Sequence, residues 1–214
     1  VVEQDFGTSY VTKQPVFAEV LPRFIVTLKL SLIGMILSTI IGVPLGMLAA
    51  VKQYSPLDTI PSLISFFLAA IPAFVLGMVL LFVFSLNFNI LPSYGLDTWK
   101  SYKMPSLTMA IPIAAINIRF TKSSMLESIR EDFIRTARAK GASEKVVIWR
   151  HALKNAMLPV ITNIGLNLGG LIMGSVVAEQ LFSVPGIGQL IVSRIQYKDE
   201  PVIIAGTILI AVTF

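Results

Sequence analysis

Long uninterrupted apolar blocks separated by short polar stretches govern the first reading of this chain. Five blocks stand out: Phe24 to Ala50, Pro61 to Leu86, Met104 to Arg119, Met157 to Ala178 and Val202 to Phe214. Between Thr59 and Leu96 there is no Asp, Glu, Lys, Arg or His. A helix rises about 1.5 Å per residue, so roughly 20 apolar residues cross a hydrocarbon layer about 30 Å thick. Backbone polar groups in lipid must be satisfied within the segment, which leaves helices or closed barrels, and barrel strands alternate polar with apolar. These blocks do not alternate, so the pattern predicts an all-α integral membrane protein. The third block reaches full length only by running on through Phe120 to Leu126, and the fifth is still apolar at Phe214. About five spans are expected, the last cut short. Val1 to Arg23 lacks an initiator Met and has neither the basic start nor the cleavage site of a signal peptide, so a segment is expected to be missing upstream. No solenoid repeat or low-complexity linker divides the chain, and residues 1–214 read as one membrane domain.

Composition agrees and excludes several classes. Hydrophobic residues make up 55% and charged residues 14%, against about 25% charged in soluble domains; the mean hydropathy is +0.79. Cysteine is absent, which removes disulfides and thiolate chemistry, and His151 is the sole histidine, so no metal site is expected. The net charge of +5 would suit nucleic acid, but nine of the 17 Lys and Arg residues lie between Arg119 and Lys154. Basic loops stay on the cytoplasmic side. This loop is therefore expected inside, with the Val51 to Ile60 turn, while Val1 to Arg23, Asn87 to Lys103 and Glu179 to Pro201 are expected outside.

The basic loop carries the most information. Leu126, Ile129, Phe133 and Ala137 recur at helical spacing and predict one amphipathic helix from Met125 to Ala137. Gly141 suits its end, Ser143 suits the cap of a second helix, Glu144 suits that helix's positive end, and Val146, Trp149 and Leu153 form a second stripe. The result is an ordered corner at Lys140-Gly141-Ala142-Ser143 within a loop of residues 125–156. A plain crossing would need only about five residues, so the corner suggests docking on a cytoplasmic partner; a solvated basic loop is the alternative.

At these residues the chain resembles a known family. RTARAKGAS at 135–143, followed by RHALKNAMLPV at 150–160, is similar to the permease signature of ATP-binding-cassette (ABC) importers, in the branch handling dipeptides, oligopeptides and nickel. Arg135 and Thr136 replace the usual Glu and first Ala, Ala137 and Gly141 match, His151 stands for Ile, Leu153 matches and Lys154 replaces Pro. FGTSY at 6–10, GVPLGMLAA at 42–50 and FSVPGIGQLIV at 182–192 resemble further landmarks of that branch.

The resemblance implies a type I importer permease bundle of six spans in a bacterial or archaeal inner membrane. Partners would be a second homologous permease, two ATP-binding subunits and an extracytoplasmic substrate-binding protein, with no nucleic acid. Coupling to the ATPase would pass through Arg135, Thr136, Ala137, Arg138, Ala139, Lys140, Gly141, Ala142 and Ser143. The chain lacks a glycine-rich phosphate loop ending in Lys-Ser/Thr, so ATP and Mg are expected on the partner subunits, no cofactor on this chain, and no enzyme activity of its own.

The outside segment with Glu179, Pro185, Gly186 and Gly188 is expected either to turn simply before the last span or to re-enter near the mouth of the pathway and meet the binding protein, with Glu179 facing the cavity. Pro44, Pro72 and Pro112 can kink helices, and Gly165, Gly169, Gly170 and Gly174 suit close helix packing. Two other classes fit less well. An ion-coupled carrier would need carboxylates at mid-membrane, whereas Lys29 and Arg119 lie near span ends; a channel would need a filter-like run or charged ring.

Overall fold

The structure, a computed structural model, describes residues 6–96 and 98–213. The first five residues, Asp97 of the expected outside loop and Phe214 at the end of the fifth block lie outside it. Among the described residues the regular elements are helical, apart from one isolated bridge between Thr8 and Pro15. They are α1 (Val16–Val51), α2 (Pro56–Ala70), α3 (Ala73–Leu80), α4 (Lys103–Arg130), α5 (Asp132–Ala139), α6 (Glu144–Val146), α7 (Leu153–Leu181), α8 (Ile187–Gln196) and α9 (Glu200–Val212). Wider π-type turns at Leu81–Asn87 and Val147–Ala152 extend α3 and join α6 to α7.

Among the described residues two helices are long and apolar enough to cross a membrane, Val16–Val51 and Glu144–Leu181, and a third span results if α2, α3 and the turn after α3 are counted as one broken span. Five were expected. Physical reasons account for the difference. Pro72 lacks an amide proton, and Ile71 before it adopts extended backbone, ψ 124°, so the second block cannot run as one helix. α4 has 28 residues but includes Lys103, Arg119, Lys122, Glu127 and Arg130. α9 has 13 residues, or about 20 Å of helix. Pro112 is carried inside α4, and Pro44 lies within α1.

The chain packs as two compact units. The first comprises Val1–Gly34, Pro72–Met109 and Leu168–Phe214. Its apolar core joins Val16 and Val20 of α1 to Ile187 and Leu190 of α8 and Val202 and Ala205 of α9. The second comprises Met35–Ile71 and Ala110–Asn167. Here α1 and α4 meet almost backbone to backbone: a Cβ at Gly42 would lie 2.8 Å from the Ala114 carbonyl oxygen, and one at Gly46 2.6 Å from that of Ile118. The spacing of four residues puts both glycines on one face, as close contact between membrane helices requires. GVPLG at 42–46 is thus a packing motif.

Around their apolar cores both units bury small polar groups and leave many large apolar groups outward, unlike a soluble domain. Thr27, Ser31, Ser65, Ser106, Thr121 and Ser175 are buried, whereas Phe66, Phe67, Phe74, Phe82 and Phe88 are at least half exposed. A hydrocarbon surround gives these side chains no penalty for exposure.

Candidate functional site

In the second unit, the basic loop folds around its own apolar nucleus. Met125, Ile134, Val147, Ala152 and Ala156 are buried there with Ala50 of α1, and Leu126, Ile129, Ala137, Ala142 and Leu153 pack against them. The expected helix from Met125 to Ala137 is in fact two: α4 ends at Arg130, and Glu131, with ψ 152°, starts α5. The break shifts the helical phase. Ile134 therefore carries the buried contact that the periodicity assigned to Phe133, which is 39% exposed. The π-type turn at Val147–Ala152 has the same effect on the second stripe, burying Val147 and leaving Val146 and Trp149 exposed.

Gly141 ends α5 in the left-handed region, φ 79°. Its amide donates to the Arg138 carbonyl at 2.9 Å and the Ala142 amide to that of Ala137 at 3.2 Å, a paired closure that satisfies carbonyls at the helix end. A Cβ at Gly141 would meet nothing within 4 Å. The dihedral, not local crowding, requires glycine, and the tip is open on its outer side. Ser143 stands at the cap position of α6, but its side chain makes no capping bond. Glu144 instead takes a two-pronged contact from Arg138, Nε to Oε1 at 2.7 Å and Nη2 to Oε2 at 3.3 Å. The Arg138 hydrogen bond, with its charge, outweighs desolvation and holds the Glu144 carboxyl below the usual carboxylate range. Arg135 pairs with Asp132 at 3.3 Å and Thr136 Oγ1 donates to the Asp132 carbonyl at 3.0 Å. Ala139 and Lys140 are exposed.

Sequence reasoning missed a second attachment. Lys122 of α4 pairs with Asp58 of α2 and donates to Ser62 Oγ at 3.1 Å, while Arg119 lies 5.4 Å from the centre of the Phe66 ring. Arg119, expected near a span end, also joins these helices. The (i, i+3) spacing of Arg119 and Lys122 is the signal that could have suggested a shared face.

In the first unit, the FSVPGIGQL segment is neither a bare turn nor free of helix: Pro185 and Gly186 precede α8, and Gly188 lies within it. Glu179, expected in the outside loop, belongs to α7 and is fully buried. Its Oε1 accepts from Thr27 Oγ1 at 2.5 Å and Ser175 Oγ at 2.9 Å, and its Oε2 from the Gln189 amide at 2.9 Å. The Ile187 amide donates to Thr27 Oγ1 at 2.9 Å. A carboxylate from another helix thus caps the amino end of α8, where unpaired amides favour negative charge. Gly188 is needed as well: its Cβ would lie 2.5 Å from Val176 Cγ2 and 2.9 Å from Glu179 Oε2.

FGTSY at 6–10 is fastened to the α8–α9 corner. Ser9 Oγ donates to Asp199 Oδ2 at 2.5 Å, the Tyr10 amide donates to Oδ1 at 2.9 Å, and Arg194 reaches Glu19 at 2.9 Å and Asp199 at 3.7 Å. Burial alone would raise the Asp199 carboxyl. The Ser9 hydroxyl, the Tyr10 and Val11 amides and the Arg194 charge together outweigh it and hold the group below its ordinary value. Of the small residues expected to pack closely on α7, Gly165, Gly170 and Gly174 have open space where a Cβ would stand.

Residues 42–214, which include the corner and the α7–α8 connection, match the family described as the binding-protein-dependent transport system inner membrane component. The chain belongs to this family. Glutathione transport system permease protein GsiC of Salmonella choleraesuis is 42% identical over 214 residues, covering 100% of this chain and 70% of the relative. GsiC of Escherichia coli K12 is likewise 42% identical, over 213 residues. Among solved structures, the MetNI methionine ABC transporter in inward-facing conformations superimposes with a TM-score of 0.75 at 19% identity, covering 92% of this chain and 89% of that one. An amino acid ABC transporter gives 0.67 at 14% identity, covering 90% and 86%. These structural likenesses speak to the fold, an all-helical ABC-importer transmembrane domain. As a member of this family, in the peptide and nickel branch, the chain is an inner-membrane permease component of an ABC importer and not itself an ATPase.

Proposed function

We propose that this permease forms half of a pathway for short peptides and receives the motion of an ATP-binding subunit through the corner at Gly141. The observation that carries the reading is the corner itself, which is folded around its own nucleus yet leaves its tip uncovered. Arg135, Lys140 and Gly141 are exposed there, with Phe133, Val146 and Trp149 on the same loop. Apolar and basic groups side by side suit a protein partner better than water. A second homologous permease would complete the pathway, and two ATP-binding subunits carrying ATP and Mg would dock one on each corner.

In this reading α1, the broken pair α2 and α3, α4, α7 and α9 are five membrane segments, with the corner on the cytoplasmic side as the basic residues demand. The segment from Pro185 to Gly188, stiffened by Glu179, stands outside and offers a surface to the binding protein. Peptides are preferred over nickel complexes because the 42% identical relatives are named for glutathione, a peptide.

The test is purification and reconstitution. Extracted in mild detergent, the chain should bring a second permease and ATP-binding subunits, and proteoliposomes of the complex should take up tripeptide only with ATP and the binding protein. Uptake by this chain alone, driven by an ion gradient, would overturn the reading.

A further inference from the structure

The second unit contains a cluster of side-chain amides that neither the corner nor the outside loop uses. Asn163 and Asn167 are four residues apart on α7 and so share a face. Both donate from Nδ2 to Asn117 Oδ1 of α4, at 3.3 and 3.2 Å. Asn117 is 1% exposed, and its own Nδ2 has no partner. Asn163 and Asn167 are half-buried. On α7 the pair lies away from charge: between Lys154 and Glu179 the sequence of α7 contains no ionisable residue. Asn163 stands nine residues beyond Lys154, about 14 Å along the axis, whereas on α4 Asn117 is two residues from Arg119.

Each asparagine offers two donors and two acceptor positions. The contacts described use one acceptor atom and one donor group from each α7 residue, which leaves the Asn163 and Asn167 carbonyls and an N–H on each unused. An amide turned to lipid without a partner is costly, so half-buried asparagines on an apolar helix face water or protein. Two outward amides backed by a third present a neutral surface of alternating donors and acceptors, the complement of a peptide bond. Being uncharged, it offers hydrogen bonds to any sequence without trapping one end of the substrate.

We propose that Asn163 and Asn167, positioned by Asn117, line the translocation path and bind the backbone amides of the passing peptide. This inference rests on the peptide reading above. The experiment uses the whole complex in proteoliposomes with its binding protein, and compares uptake of a tripeptide with that of the same tripeptide N-methylated at its peptide bonds. Comparing that ratio between wild type and variant, which share one binding protein, cancels any preference of the binding protein. In N163A/N167A, uptake of the unmodified tripeptide should fall about fivefold, the size expected for losing one or two hydrogen bonds, the ratio should fall towards that set by the binding protein, and binding-protein-stimulated ATP hydrolysis should persist.

An unchanged ratio overturns the inference, as does loss of uptake and ATP hydrolysis together, which would make the cluster a helix fastener. If the double variant does not assemble, Asn163→Ser and Asn167→Ser are read in the same way, and an unchanged ratio in both overturns it. Failure of the wild-type complex to take up either tripeptide is a different result, and removes the peptide reading itself.

Discussion

The carboxylate of Glu179 occupies the space that a side chain at Gly186 would need: a Cβ built there would fall within 2.5 Å of all three carboxyl atoms. The two residues therefore constrain each other, and the segment leading into α8 is shaped by a buried acid rather than by its own turn chemistry.

Gly186→Ala should accordingly destabilise the protein by about 3 kcal/mol or more, beyond ordinary overpacking, because the obstructing atoms are themselves held by Thr27, Ser175 and the Gln189 amide. In a Glu179→Ala background the same change should cost less. Thermal unfolding in detergent across the four proteins measures the coupling, and strictly additive effects would contradict the geometry.

At the corner, the strain of a left-handed residue predicts a graded series. Gly141→Val should lose about 1–2 kcal/mol locally and abolish ATP-driven uptake with the chain still inserted, whereas Gly141→Asn should keep much of the activity. Uptake and membrane abundance are measured together; full transport by the valine variant would remove the coupling role.

Ile134 and Trp149 should separate folding from docking. Ile134 is fully buried and Trp149 is 55% exposed. Ile134→Ala should lower stability by about 2–5 kcal/mol. Trp149→Ala should change it by no more than about 0.5 kcal/mol and instead weaken co-purification of the ATP-binding subunit.

Asp199 predicts a pH dependence. Its carboxyl is held below the ordinary value of 3.8, so the unfolded chain takes up the proton first as pH falls. The stability it contributes is complete above 3.8 and is lost as pH falls through the lower, folded-state value. Unfolding of wild type and Asp199→Asn in detergent between neutral pH and pH 3 should give curves that differ at neutral pH and converge in acid. Equal slopes throughout would show that the Ser9 and Tyr10 contacts do not stabilise the ionised form.

What the sequence made legible follows physical type. Gly141 could be placed because a helix end has few solutions and glycine is the usual one. The phase around Phe133 and Ile134 could not be read correctly, since a pattern of three and four assumes an unbroken helix and nothing in SIREDFIR announces the stop at Glu131. Glu179 was found as an unusual acid, but its partners Thr27 and Ser175 are ordinary residues, far off in sequence or on the same helix, whose role arises only from packing. The asparagines of α4 and α7 were overlooked for the same reason: neutral amides carry no charge to draw attention, and their meeting depends on how two helices pack.

The nucleus beneath the corner has one more implication. Because it includes the end of α1 together with α4 and α7, and packed interiors compress very little, the loop has no slack in which to lose a displacement. If the tip is pushed, as the proposed docking requires, the push reaches the ends of α1, α4 and α7 together, and a lesion at Ala50, remote in sequence from the tip, should weaken transport as surely as one at the tip itself.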